Sequence, residues 1–174
     1  MPALKRIHPA GHALAWLLLA LLALACAGQG ETAMPLARVE IGGHTVLAEV
    51  PLSQEQRMRG LGGRQSLEPG RGMLFLFTPG SPQYMCMRDM NFPLDFIWLD
   101  HGRVSQISAR VPAAGATLTL RADRPVQMVL EVPAGWSQAK GVRPGQKVRI
   151  SAAGAELPPE LARMLNQEGG HETK

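Results

Sequence analysis

Between Leu36 and Ser151 the apolar residues come in short runs, four to eight long, cut by Gly-Gly, Pro-Gly and Asp-His-Gly punctuation. Runs of that length are too short for helices that bury a stripe, and alternation within several of them has the period of a strand. Val39 and Ile41, then Val46, Ala48 and Val50, alternate with polar neighbours around Gly42-Gly43, which predicts a hairpin with a two-residue turn. Gly72 to Phe77 reads as a buried strand. Asp95–Leu99 and Arg103–Ala109 flank Asp100-His101-Gly102 as a second hairpin, and Val126–Val132 and Lys147–Ser151 add further strands.

One segment changes period. Ser53-Gln54-Glu55-Gln56 sets a capping serine three residues before a glutamine, so a short helix should start there and stop at Gly60, Gly62 and Gly63. Those glycines are not a phosphate loop, because no strand precedes them and no Gly-Lys-Ser/Thr follows. Pro133 to Lys140 can form one further turn. The pattern predicts a mainly β domain, a compact and largely antiparallel barrel or sandwich of seven to nine short strands with one short helix after the first hairpin.

The ends of the chain read differently. Lys5 and Arg6 precede an apolar run from Ala13 to Leu24, followed by Ala25 and Cys26. A membrane-spanning helix needs roughly 20 apolar residues, so this shorter run predicts a secretory signal over 1–25. A cysteine directly after small residues is where bacterial lipoproteins are cut and acylated, which predicts lipidation at Cys26; ordinary cleavage after Ala25 or Ala27 is the alternative. Residues 26–35 read as a flexible tether, 36–151 as one domain, and 152–174 as a peripheral tail that is helical in part. The expected location is the periplasmic side of the envelope, anchored to the outer membrane, as a monomer.

Removing Lys5 and Arg6 from the 18 basic residues leaves 16 against 14 acidic ones, so the exported chain is close to neutral and carries no nucleic-acid footprint. With Cys26 acylated, Cys86 is a lone thiol and no internal disulfide can be drawn.

Several stretches together resemble the bacterial and archaeal family known as domain of unknown function 192. They are Arg57, Gly60, Leu61 and Arg64; Gly72-Met73-Leu74-Phe75; Met87-Arg88-Asp89-Met90; Pro93-Leu94-Asp95; Leu130-Glu131; Gly135-Trp136; and Gly145. The resemblance spans residues 39–150 and rests on the order of these motifs. Gly62 stands where the family carries a methionine, Met85-Cys86 replaces Phe-Trp, and Asp89-Met90 replaces Asn-Thr. The resemblance implies a small β-rich domain, frequently exported, with no established activity and no catalytic residues to carry over.

Candidate site residues come from the chemistry of the side chains. Asp95 opens a strand of apolar neighbours, so its carboxylate needs donors to offset desolvation, and Glu131 is a second carboxylate set in an apolar run. Arg57, Arg64 and Arg88 are the plausible partners. Paired carboxylates with arginines could hydrolyse an envelope glycan or peptide, which makes Asp95 and Glu131 the catalytic candidates. They can equally tie a strand corner in place, and that is the reading favoured for both. Trp136, beside Gly135 and Ser137, is a candidate surface for stacking a ligand. The expectation is a binding module for a small ligand or an envelope protein, with a polar pocket formed by Arg57, Arg64, Arg88, Asp95 and Trp136. No cofactor is expected. A Cu(I) site at Cys86 and its methionines is less favoured, because alternation along an extended Tyr84–Met90 sends neighbouring sulfurs to opposite faces.

Overall fold

The structure, a computed structural model, describes residues 33–78, 83–113, 118–154, 159 and 161–163. The signal segment, Cys26 and most of the tether lie outside the described residues. Among those described, no helix is long and apolar enough to cross a membrane.

Among the described residues, nine strands and two short helices follow in order: β1 (Leu36–Ile41), β2 (His44–Glu49), α1 (Gln54–Arg59), β3 (Arg71–Leu76), β4 (Tyr84–Cys86), β5 (Leu94–Asp100), β6 (Arg103–Val111), β7 (Thr119–Arg121), β8 (Met128–Pro133), α2 (Trp136–Ala139) and β9 (Val148–Ala152). Seven form one curled sheet in the order β6-β5-β8-β3-β2-β1-β9, and β4 pairs with β7 in a separate ribbon. The large sheet is an open half-barrel. Its two edge strands approach at one end only, where Arg103 bridges Lys147.

The first hairpin forms where alternation predicts it, with Val39 opposite Val46 and Ile41 opposite His44. Its turn requires glycine, since Gly42 and Gly43 have φ of 57° and 81° and a two-residue hairpin turn of this kind needs both positive. The α1 capping box is present in full: Ser53 Oγ accepts from the Gln56 amide, and the Gln56 side chain accepts from the Ser53 amide. Helix α1 has no buried residue of its own, and the fully buried Leu61 just beyond it is what pins it to the domain.

Strands β3, β5 and β8 are buried on both faces, which explains their near-continuous apolar runs. Leu74, Leu76, Ile97, Leu99, Leu130 and Val132 face one core, inside the curl with the β1–β2 hairpin. Met73, Phe75, Phe96, Trp98 and Val129 face a second core, together with Leu61, Met85 and Met87. Trp98 is wholly buried there, its indole N–H donating to Ser108 Oγ at 3.0 Å.

Strand β4 is shorter than the extended Tyr84–Met90 of the sequence reading. Burial still alternates as far as Arg88, with Met85 and Met87 buried and Tyr84, Cys86 and Arg88 exposed; the turn comes at Asp89, whose φ is 55°, a left-handed conformation that a short polar side chain tolerates better than most. In the C-terminal segment Leu161 is fully buried in the inner core. Strand β7 had no counterpart in the sequence reading.

Candidate functional site

On the outer face of the sheet, between α1 and β4, lies a cavity of about 280 Å³. This is at the small end of the range for small-molecule sites. Its rim is solvent-facing: Arg57 and Arg59 are exposed, as are Met58 (62%), Tyr84 (57%), Cys86 and Arg88. Its walls are apolar, with Leu61, Phe75, Met85 and Met90 among them. Glu131 lines it too, from the middle of the sheet.

The position of Glu131 follows from register. It sits between Phe96 on β5 and Met73 on β3, so neither lateral neighbour can donate to it. Only 4% of the residue is exposed, and no hydrogen bond reaches its carboxyl from the described residues. Desolvation pushes the carboxyl pKa up to about 8, with the positive charge of Arg64 opposing the rise. Near neutral pH this group is a carboxylic acid, able to donate one hydrogen bond and accept another.

The arginines divide by task. Arg64 makes a bidentate pair with Glu49, Nη1 to Oε1 and Nη2 to Oε2 both at 2.8 Å, and this holds the Glu49 carboxyl below its usual range. Arg57 stays on its own loop, donating from Nη2 to the Leu52 carbonyl at 2.8 Å and from Nε to that of Pro51 at 3.4 Å. Arg59 pairs with Glu55 one turn back on α1. Arg88, alone of the three rim guanidiniums, makes no hydrogen bond or ion pair among the described residues.

Its place depends on Gly62. A Cβ at that position would lie 2.9 Å from the Arg59 carbonyl and 3.1 Å from that of Arg88, closer than backbone tolerates, so glycine lets the turn at Arg88-Asp89 close onto the loop after α1. The Gly63 amide then donates to the Asp89 carbonyl at 2.8 Å.

Asp95 is elsewhere. It is 0% exposed, and both carboxyl oxygens are fully engaged: Oδ1 accepts from the amides of Arg110 (2.7 Å) and Gly135 (2.8 Å), Oδ2 from the amide of Ser137 (2.9 Å) and from Ser137 Oγ. A bulge in β6 makes this possible. Ala109 and Arg110 together oppose Asp95, and Arg110 at φ 52° turns its amide inward. Asp95 is thus a clasp joining β5, β6 and the start of α2, closed to solvent. The expected pocket of Asp95 with the arginines does not form, because Asp95 and the cavity lie on opposite faces of the sheet. Asp95 and Glu131 likewise cannot act together as a hydrolytic pair. Trp136 also faces away from the cavity, half-buried against the inner core with its ring edge toward His44 at 6.4 Å between centroids.

Of the expected binding residues, then, Arg57 and Arg88 line the cavity, Arg64 is paired with Glu49 on the same face of the sheet and acts on Glu131 through its charge, and Glu131 takes the place foreseen for Asp95. Sequence reasoning missed Met58, Met85, Phe75 and Tyr84 as lining. Cys86, Met58, Met85 and Met90 are all among the lining residues, with Met85 buried and Cys86 exposed, as alternation along β4 requires. Among the described residues no group of three or more His, Cys, Asp or Glu is placed to hold a metal ion.

The profile of DUF192, described as an uncharacterized ACR, matches residues 37–150. The chain belongs to this DUF192 family. A crystal structure from Sinorhizobium meliloti, named as a candidate transcription regulator, aligns with a TM-score of 0.63 at 31% identity, covering 69% of this chain and 97% of that one. A second crystal structure, of a protein of unknown function from Novosphingobium aromaticivorans, aligns with a TM-score of 0.60 at 27% identity over 84% of this chain and 93% of its own. Among curated proteins none matches this DUF192 chain.

Proposed function

We propose that this DUF192 domain is a binding module for a small molecule, exported through its leader and held at the envelope by a lipid on Cys26. The observation that carries the reading is the cavity itself. It is open at an arginine-bearing rim, apolar along its walls, and lined at the bottom by the Glu131 carboxyl, which takes no hydrogen bond from the described residues. A carboxyl that faces a cavity with its hydrogen-bonding capacity unused by the fold gives a ligand a partner inside it. Hydrolysis by Asp95 with Glu131 has no geometric support.

The test is native mass spectrometry of the mature protein purified from its own envelope, beside a Cys86→Trp variant. Cys86 lies on the exposed rim, so a tryptophan there should block the cavity without disturbing the core. The expected result is a retained small molecule that Cys86→Trp lacks. Equal masses of bound material in both proteins, or none in either, would remove the support for this reading.

The shared sulfur lining favours Cu(I) handling as the second reading, since thioether and thiolate donors select that ion. It ranks below because Arg57, Arg59 and Arg88 put positive charge at the entrance. Stoichiometric Cu(I) binding against a competing chelator, lost in Cys86→Ser, would reverse the order.

A further inference from the structure

Resting on the reading of the cavity as a ligand site, we propose that it takes a small organic anion whose charged end is held at the mouth by Arg88 and whose inner end presents a hydrogen-bond acceptor to Glu131. Two observations on different elements support this. Arg57 and Arg59 on α1 and Arg88 after β4 line the cavity, with the charge of Arg64 felt at Glu131; the acidic partners nearby, Glu55 and Glu49, are already paired to Arg59 and Arg64. Among the lining residues the one carboxyl is that of Glu131, only 4% exposed, and it has no hydrogen-bond donor or acceptor from the described residues.

The site's net charge decides the sign of the ligand. Three arginines line the cavity and the charge of a fourth, Arg64, is felt at Glu131; Arg59 and Arg64 are already neutralised by carboxylates, so an amine entering would meet uncompensated positive charge at Arg57 and Arg88. An anion at the rim meets attraction instead. At the floor, a protonated Glu131 offers its O–H to a carbonyl, ether or hydroxyl oxygen. When Glu131 ionises, the donor vanishes and a negative charge appears beneath an anionic ligand, so affinity falls as pH rises through the Glu131 transition.

The groups that could also titrate against the ligand are Tyr84 and Cys86 on β4; Met73 and Phe96, which flank Glu131 on β3 and β5, do not titrate. Working in a Cys86→Ser background removes the thiol from consideration.

Three probes of similar length separate the possibilities: 5-oxohexanoate, an anion with an internal acceptor; 5-methylhexanoate, an anion without one; and hexylamine, a cation. Binding is read from the methyl resonances of Met85 and Met90 in protein labelled at methionine methyls. At about pH 6 the oxo-acid should bind about three- to tenfold more tightly than the methyl acid, the worth of one hydrogen bond. That advantage should vanish near pH 9 and persist at both pH values in Glu131→Gln, whose amide still donates. Arg88→Ala should weaken both anions by about two- to fivefold, as expected for an exposed charge. Equal binding of the two acids at about pH 6, or tighter binding of hexylamine, would overturn the ligand class while leaving the cavity a binding site. If no probe moves either methyl resonance, both the ligand class and the binding-site reading fall.

Discussion

Asp95 and Glu131 stand on adjacent strands, one residue out of register, and therefore point to opposite faces of the same sheet. Asp95 is opposite Val132 and Phe96 is opposite Glu131, so the carboxylates are separated by a layer of backbone. One is closed in by four hydrogen bonds and the other by none from the described residues, although both are buried. This contrast sets what each substitution should do.

Asp95→Ala removes the acceptor for three backbone amides and a hydroxyl at once. Unpaired buried donors make the expected loss about 3 kcal/mol or more. Asp95→Asn also destabilises, by about 1–3 kcal/mol, because each oxygen serves two donors and the amide nitrogen must face at least one N–H. Thermal melts check both values, and unchanged melting of Asp95→Ala would contradict the clasp.

Glu131 makes stability depend on pH with a definite sign. Its folded pKa, about 8, lies above the ordinary value of 4.5, so its contribution is fully present below about 4.5 and is lost as pH rises through about 8. Glu49, lowered by Arg64, works the other way: its contribution is present at neutral pH and is lost as acid protonates it. Denaturant melts should therefore show stability declining by a few kcal/mol, to order of magnitude, between about pH 5 and pH 8 in the wild type. Glu131→Gln should flatten that decline. A wild-type slope of zero across this window would show Glu131 ionised throughout.

Gly62→Ala forces a Cβ against two carbonyl oxygens of the backbone. The expected cost is about 1–3 kcal/mol, the range for overpacking, with the Arg88-Asp89 turn displaced. Faster amide exchange at Gly63, whose N–H donates to Asp89, reports the displacement separately from global stability.

Cys26→Ser tests the anchor. The variant should leave the membrane fraction, with the melting temperature of the folded domain unchanged. Full retention in membranes after an alkaline wash would count against lipidation.

The strands were legible because burial on one or both faces imposes a pattern that any reader of the sequence can see: alternation in β1 and β2, continuous apolar runs in β3, β5 and β8. The capping box of α1 was legible because its two hydrogen bonds are local. The site was not, for a physical reason. Whether Asp95 and Glu131 share a face depends on which strands pair and in what register, and β5 meets β8 across a separation of some three dozen residues that no local pattern encodes. The alternation from Tyr84 to Arg88 was legible for the same reason as that of β1 and β2, and it ends at a single left-handed residue, Asp89. Strand β7 is three residues long with no fully buried position, too little for any periodicity to register.

The parallel pairing of β2 with β3 has a further consequence. Parallel neighbours cannot be joined by a tight turn, so the chain between them must cross over, and here that crossover carries α1, Leu61 and Gly62 to the cavity's edge. The floor of the cavity is sheet, fixed by ladders on both sides; its wall is connection, held by a capping box, one leucine and a close glycine contact. Selection acting on specificity could rewrite the wall, residue by residue, at little risk to the ladder, so the chemistry of the mouth is free to evolve while the buried acid beneath it stays in place.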